Sequence, residues 1–220
     1  MNGHPSDDLL IERLRARAHD PARRFDEAPV PVAWIERRHG PERVKEALES
    51  GYAFSNDGMI LFPAGSREAV DHHRDAPRRP PFPPATFAEV AEAERRIGHR
   101  LPEPLRRVYT EIADGGFGPD ARGFARIAGG SPSLADIHER DRARGLPPSW
   151  LELTPAGCTL SWYVSLTEPG NPVLLHDIDN GDPRRGERPE DGVVHVTGSL
   201  RSWLWPWADG GDVWDDVRGG

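Results

Sequence analysis

Two consecutive stretches near the middle of the chain place apolar residues at helical spacing. The first begins at Thr86, which forms a capping-box pattern with Glu89 because each side chain can satisfy a backbone amide of the first turn. Gly98 suits the left-handed position that ends a helix. We expect the apolar face of this helix to consist of Phe87, Val90, Ala91 and Ile97.

The second stretch follows the short segment GHRLP. Pro102 or Pro104 fits the first turn of a helix, where no amide partner is lost. The apolar residues then follow the i, i+3, i+4, i+7 pattern at Leu105, Val108, Tyr109 and Ile112. The two stretches together predict an αα unit.

Beyond residue 150 the pattern changes to short runs of β-branched and aromatic residues. The runs TLSWYVSL, NPVLLHDI and GVVHVTG are bounded by Gly, Pro, Asn and Asp, so they predict strands. Ser199 then suits a helix cap, followed by Leu200, Trp203, Leu204 and Trp207 at helical spacing. Helices first and strands later predict an α+β fold with a mostly antiparallel sheet.

The first 75 residues predict a small α/β extension. Leu9, Leu10, Leu14 and Ala18 fit one face of a short helix, and Pro41 suits the start of another that runs to about Ser50. Residues 51–63 predict a hairpin with Asn56, Asp57 and Gly58 in its turn. Five prolines between residues 75 and 86 favour a stiff connection. We therefore predict an extension (1–75), a proline-rich linker (76–85), a main domain (86–209) and an acidic tail (210–220).

Composition narrows the function classes. No segment approaches the roughly 20 apolar residues of a membrane span, the opening residues lack the apolar region of a signal peptide, and there is one cysteine, Cys158. We expect a cytoplasmic protein. Residues 151–220 carry 5 basic and 12 acidic side chains, which accounts for 7 of the 8 net negative charges. Such a surface repels nucleic acid and attracts a basic protein partner.

Several motifs stand in a recognisable order. The first has the form "E..IG..LP..L...Y.....GG" and comprises Glu94, Ile97, Gly98, Leu101, Pro102, Leu105, Tyr109, Gly115 and Gly116. The segments LELTPAGC, NPVLLHDI and VTGSLRSWLWPW follow, the last with Trp203 and Leu204. In order and spacing they resemble the SUKH superfamily over about residues 84–209. That superfamily groups Smi/Knr-type cell-wall-assembly regulators of fungi with bacterial immunity proteins that neutralise polymorphic toxins.

The resemblance implies an α+β fold, a protein-binding role and mainly structural motif residues, without a catalytic residue or cofactor. The N-terminal extension and the polar loop DNGDPRRGERPEDG, residues 179–192, depart from the commonest form of the family. We interpret them as a second module and a variable recognition loop.

Gly115 and Gly116 invite comparison with a phosphate-binding loop. Such a loop needs a strand before it and a helix N-terminus after it, whereas these glycines follow the predicted C-terminus of a helix, which presents carbonyls. We therefore interpret them as a turn that ends the helix, with Phe117 folding back on it.

Glu94 and Cys158 are the candidates for chemistry. A buried Glu94 needs a fixed partner, for which we expect the amides near Leu101 to Glu103 or an arginine; a general acid or base with a raised pKa is the alternative. Cys158 with His176 or His195 would make a thiol nucleophile and its base, although a lone cysteine beside a strand is usually a small buried hydrophobe.

No metal site is expected. His72 and His73 are adjacent and point apart in regular structure, which suits a metal poorly. The run from Asp177 to Asp182 is similar to the start of a calcium loop, but Arg188 occupies the twelfth position, where a bidentate Glu is required.

The last third supplies the candidate partner-binding residues. Trp203 and Trp207 share a helical face and belong to the expected core, whereas Trp205 and Trp214 fall off that face and are either a binding hot spot or part of an exposed tail. The candidate set is Asp177, Asp179, Asp182, Trp205, Asp209, Asp212 and Trp214.

We expect a non-enzymatic immunity protein that covers the active site of a basic toxin domain, with complementary charge that speeds their association. A regulatory or scaffolding protein is the first alternative, and a thiol-dependent enzyme is the second.

Overall fold

The computed structural model describes residues 7–54, 57–120 and 122–218. Its helices are Asp7–Ala18 (α1), Val32–His39 (α2), Pro41–Glu49 (α3), Arg67–His72 (α4), Phe87–Ile97 (α5), Glu103–Arg107 (α6), Leu134–Ala143 (α7), Leu200–Ala208 (α8) and Asp215–Arg218 (α9). Its strands are Glu27–Pro31 (β1), Met59–Pro63 (β2), Trp150–Pro155 (β3), Leu160–Ser165 (β4), Val173–Asp177 (β5) and Val193–Val196 (β6). Helices and antiparallel sheets thus confirm the predicted α+β class.

The large sheet is an antiparallel meander in the order β3-β4-β5-β6. Because side chains alternate along a strand, Trp162 and Val164 of β4 point to one face and Ser161 and Tyr163 to the other. The first face packs into the large core with α1, α5, α6 and α8. The second, which we call the back face, carries the polar side chains that line the site described below.

The αα unit forms with the predicted caps. Thr86 and Glu89 make both hydrogen bonds of the capping box, and Gly98 adopts the left-handed conformation at φ 81°. The expected apolar face was wrong at Phe87, which is 73% exposed, and at Ala91. Ala93 is buried instead, because the face that meets the core follows Val90, Ala93 and Ile97, and Phe87 lies beyond it in the first turn.

The second helix also buries the predicted face, but its geometry changes midway. α6 continues into a single π-helical turn, Val108–Ile112, in which the amide of Ala113 donates to the carbonyl of Val108. The predicted face is buried at all four positions, namely Leu105, Val108, Tyr109 and Ile112. A π turn adds one residue per turn and so re-aims the chain that follows.

The buried residues of the N-terminal part belong to more than one hydrophobic cluster. The buried residues Leu10, Leu14 and Ala18 of α1 belong to the large core, so this helix shares a core with the predicted main domain. A second cluster forms between β1, α2, α3 and β2 around Ile35 and Phe62. The predicted extension (1–75) includes α1, but this helix packs in the same core as the predicted main domain. The boundary at residues 76–85 otherwise stays a prediction.

The small sheet corrects the predicted hairpin. β2 pairs with β1, with Val30 opposite Ile60, whereas residues 51–54 contribute only a single bridge from Phe54 to Ile60. Of the three expected turn residues, Asn56 lies outside the described residues, whereas Gly58 has a left-handed φ of 71°. Among the helices that the structure describes, none is long and apolar enough to cross a membrane.

Candidate functional site

Glu94 ties the two helices of the αα unit together. Its Oε1 accepts a hydrogen bond from the amide of Leu101 at 2.9 Å and lies 3.1 Å from Nε of Arg106. Both kinds of partner expected from the sequence are thus present. The carboxylate, 16% exposed, fixes the turn between α5 and α6.

Gly115 and Gly116 form a tight turn after the π-helical segment, at φ 72° and 73°. A Cβ on Gly115 would lie 2.6 Å from the carbonyl oxygen of Phe124, and one on Gly116 would lie 2.8 Å from the Phe82 ring. Phe117 is fully buried against Phe124 and Trp207. These glycines therefore let the chain pass close to its neighbours at a helix end.

The remaining motif residues lie mainly in the core. Tyr109 is buried, and its hydroxyl donates to the carbonyl of Ala125 at 2.9 Å. Buried with it are Ile97, Leu101, Pro102, Leu105, Trp203 and Leu204. The motif thus specifies packing and turns.

The acidic loop residues do not form the uncompensated surface expected from the sequence. Asp182 is 3% exposed, and its hydrogen bonds with Arg184 hold its pKa low, at about 2. Asp177 accepts from the amide of Asp179 and from the side chain of Asn180. Asp179 lies 3.8 Å from Arg185. The loop therefore balances its acids with its own donors.

The other two acids also have cationic partners. Asp209 pairs with Arg13 of α1, and Asp212 lies 3.0 Å from Arg218. The first pair connects the end of α8 to α1, and the second connects two residues of the C-terminal segment.

The two candidate tryptophans are half-buried and pack against the large core. Trp214 contacts Trp162 edge to face, with ring centroids 5.4 Å apart, and donates its indole N–H to Asp120 at 3.1 Å. Val213 is 3% exposed. The described part of the tail therefore folds back on the domain, which corrects the exposed-tail alternative; Trp205 is likewise not an exposed anchor.

A cleft of about 1030 Å³ opens between the back face of the large sheet and the small sheet. Of the predicted partner-binding residues, Asp212 and Trp214 line it. It also contains two groups of carboxylates that the sequence analysis did not single out, one around Asp120 and one around Glu152.

The first group is centred on Asp26 and Asp120. Asp26 accepts hydrogen bonds from Arg17 at 2.8 Å, from the indole of Trp207 at 2.7 Å and from the amide of Asp120 at 2.7 Å. Burial raises the pKa of Asp26 and of Asp120 to about 6. Asp120 has the left-handed φ of 61° and accepts from Trp214. Raised pKa values of neighbouring acids are typical of functional sites, although structural networks also produce them.

The second group lies on the back face. Glu152, opposite Tyr163 in the sheet, receives hydrogen bonds through Oε2 from Arg140 at 3.3 Å and from the Tyr163 hydroxyl at 3.4 Å. The same arginine and hydroxyl contact Asp141. Burial raises the pKa of Glu152, with the nearby Asp141 adding to the effect.

Cys158 lies on the cleft and is exposed, which corrects the expectation of a buried hydrophobe. It falls in the turn between β3 and β4, where side chains face solvent. His176 and His195 belong to opposite faces of the sheet, since His195 pairs with Leu175, the neighbour of His176. Burial lowers the pKa of His176.

His72 and His73 do not point apart as expected, since their rings lie 4.8 Å apart. Within the described ranges, no group of three or more His, Cys, Asp or Glu side chains has the arrangement of a metal site.

Neither a scan against protein-family models nor a search of curated proteins finds a match for this chain.

Proposed function

We propose that this chain is a non-enzymatic, protein-binding member of the SUKH superfamily, and that it acts as an immunity protein. In this proposal it neutralises a bacterial polymorphic toxin by covering the toxin's active site. The SUKH arrangement of an αα unit, an antiparallel sheet and a closing helix is part of the proposal.

The contact of Glu94 with Leu101 is the observation that carries the proposal. It gives a physical reason for the spacing between the glutamate and the "LP" of the motif, because the carboxylate must reach the amide seven residues later. Gly98 provides the left-handed helix end between them. A motif whose members depend on one another in this way is a stronger basis for a resemblance than the same residues matched singly.

The cleft supports a binding role. It combines aromatic side chains, such as Tyr52 and Trp214, with charged groups of both signs, a composition that suits recognition of another protein. Its volume of about 1030 Å³ is enough for several side chains of a partner.

The test begins with capture of partners from native lysate by the tagged full chain, with identification by mass spectrometry. The captured protein is then expressed alone and together with this chain. We expect the partner alone to arrest growth and the chain to restore it. A partner that is harmless when expressed alone contradicts the immunity role.

The alternative is a regulatory or scaffolding protein of the cell-wall-assembly-regulator type. The second hydrophobic cluster around Ile35 and Phe62 favours it, because a separately packed unit offers a second contact surface. Leu48 and Phe54 are exposed there, at 45% and 57%. A harmless partner from wall synthesis or signalling supports this alternative.

A further inference from the structure

Four basic side chains meet where α1 ends. They are Arg15, His19, Arg24 and Arg79, which we call the basic patch. The amide of His19 donates to the carbonyl of Arg15 at 3.0 Å, which continues the helical geometry and places these two side chains on one face. The other two come from the loop after α1 and from the proline-rich segment.

Arg24 holds the proline-rich segment against the end of α1. Its Nε donates to the carbonyl of Ala18 at 3.0 Å, and its Nη2 donates to the carbonyls of Arg79 at 2.9 Å and Pro77 at 3.3 Å. All three acceptors are uncharged. Asp20 acts on this guanidinium only at longer range, and Nη1 makes no hydrogen bond with a described residue. Arg24 therefore keeps a donor and most of its charge for a further partner.

The other two guanidinium groups of the patch are weakly compensated. Arg79 is exposed, and its side chain makes no ion pair with any residue that the structure describes. Arg15 lies 3.4 Å from the carboxylate of Glu111, but that carboxylate is closer to Arg107, at 2.6 Å. The nearest acid is thus already engaged by another arginine.

His19 shows that these charges act on one point of the surface. Burial lowers its pKa, and the positive charges of Arg15, Arg24 and Arg79 lower it further. The C-terminus of α1 supplies only about half a negative charge against three guanidinium groups. The patch therefore resists another positive charge, and an anion placed there would relieve the repulsion.

The chemistry of the patch favours carboxylates of a protein over nucleic acid. A guanidinium fork binds carboxylate and phosphate groups alike. Single-stranded nucleic acid also needs aromatic side chains on which its bases stack, and the patch has only the half-buried ring of His19. A long polyanion would in addition meet the net charge of −8 of the whole chain. A short acidic segment of a protein meets mainly the local positive field.

We propose that the basic patch binds an acidic segment of a protein partner, with Arg15, Arg24 and Arg79 as donors to its carboxylates. The proposal rests on the protein-binding function for the source of that segment. None of the four patch residues lines the cleft, so the patch is a second contact surface, with a charge opposite to that of the C-terminal third.

The test is a titration of the full chain with a hexaglutamate peptide at about 10 mM salt, where surface charges are little screened. The pKa of His19 is followed by NMR of its ring protons, which a His19→Gln variant assigns. Bound carboxylates favour the protonated imidazole, so we expect this pKa to rise toward its ordinary value of 6.5. Hexaglutamine, the matched uncharged peptide, should leave it unchanged. The absence of a rise with hexaglutamate, or an equal rise with both peptides, overturns the proposal.

Arg79→Gln is the matched variant. The side chain is exposed and unpaired among the described residues, so the fold should be kept, which circular dichroism checks. Arg38→Gln is the control, because it makes the same change of charge at an exposed position of α2, and Arg38 is not among the cations that lower the pKa of His19. We expect Arg79→Gln to bind hexaglutamate about threefold more weakly and Arg38→Gln to bind it like the wild type. Equal affinities of the two variants overturn the assignment.

A third probe separates the two kinds of anion. We expect an oligothymidylate of the same charge to bind more weakly than hexaglutamate, because its bases find no stacking partner. Tighter binding of the oligothymidylate would assign the patch to nucleic acid and overturn the proposal. A failed hexaglutamate titration removes the patch alone, whereas a failed growth-rescue experiment removes the immunity role alone.

Discussion

The backbone amide of Asp120 donates to Oδ2 of Asp26 at 2.7 Å, which brings together two carboxylates that are 94 residues apart in the chain. Arg17 and Trp207 also donate to Asp26, so this one side chain, directly before β1, connects α1, α8 and the loop after the glycine turn. The pair lies at the cleft to which we assign partner binding.

This carboxylate pair predicts an unusual pH dependence. The pKa of each acid is raised to about 6 from an ordinary value of 3.8. The folded chain thus binds more protons than the unfolded chain between these values, and the two acids lower the free energy of unfolding as pH rises from about 4 to about 6.5. We expect Asp120→Asn to be more stable than the wild type at pH 7.5, by about 1–3 kcal/mol, and equally stable at pH 4.

Urea unfolding at the two pH values measures this difference. Asp191→Asn, in the loop before β6, is the control. It should change the free energy of unfolding only slightly, and by the same amount at pH 7.5 and pH 4. A lower stability of Asp120→Asn at pH 7.5 would show that the ionised carboxylate is well compensated in the folded chain.

Glu94 should be important for stability. Glu94→Ala leaves the amide of Leu101 without its acceptor and removes the nearer of the two carboxylates of Arg106, the other being that of Glu103, so we expect a loss of about 2 kcal/mol in the free energy of unfolding. Glu92 lies two residues earlier, on the exposed side of α5. The free energy of unfolding of Glu92→Ala should equal that of the wild type within experimental error. Thermal and urea unfolding compare the two. Similar small losses for both would remove the structural role given to Glu94.

The glycines of the motif should differ in how well they tolerate replacement by alanine. Gly115→Ala places a Cβ 2.6 Å from the carbonyl oxygen of Phe124, so the backbone must move and we expect a loss above about 3 kcal/mol. Gly98 has a similar φ of 81° but nothing within 4 Å of its Cβ position, so Gly98→Ala should cost only about 1 kcal/mol. Unfolding measurements that give the two variants equal losses would contradict the close approach.

Cys158 tests the enzyme alternative. Because the thiol is exposed, we expect it to react with a thiol reagent in the folded protein at the rate of an ordinary exposed cysteine. Cys158→Ser should keep partner binding and growth rescue unchanged. A thiol that reacts fast below neutral pH, together with loss of rescue in the serine variant, would favour the enzyme.

The sequence predicts the local elements of this fold well. Each of these features depends on residues that are close in the chain: Glu89 is three residues after Thr86, and Leu101 is seven residues after Glu94. Their patterns are therefore visible in the sequence. The π-helical turn is not visible, because the same apolar spacing fits an ordinary helix. Phe87 was misassigned because one exposed aromatic at a helix start still fits the periodic pattern.

The residues of the cleft could be predicted from the sequence only in part. Asp26 and Asp120 have no motif of their own and meet only through the tertiary packing of α1 and α8. Net charge did not reveal that Asp182 pairs with Arg184 two residues away. The aromatic and acidic pattern around Asp212 and Trp214 did indicate two residues of the cleft, although it gave no sign that the tail folds back.

A titration of the captured toxin's catalytic activity with this chain tests the immunity role directly. We predict that activity is lost as the chain reaches an equimolar amount and that excess toxin substrate slows the onset of inhibition, because the chain covers the active site. A stable complex in which the partner keeps its full activity would contradict the immunity role.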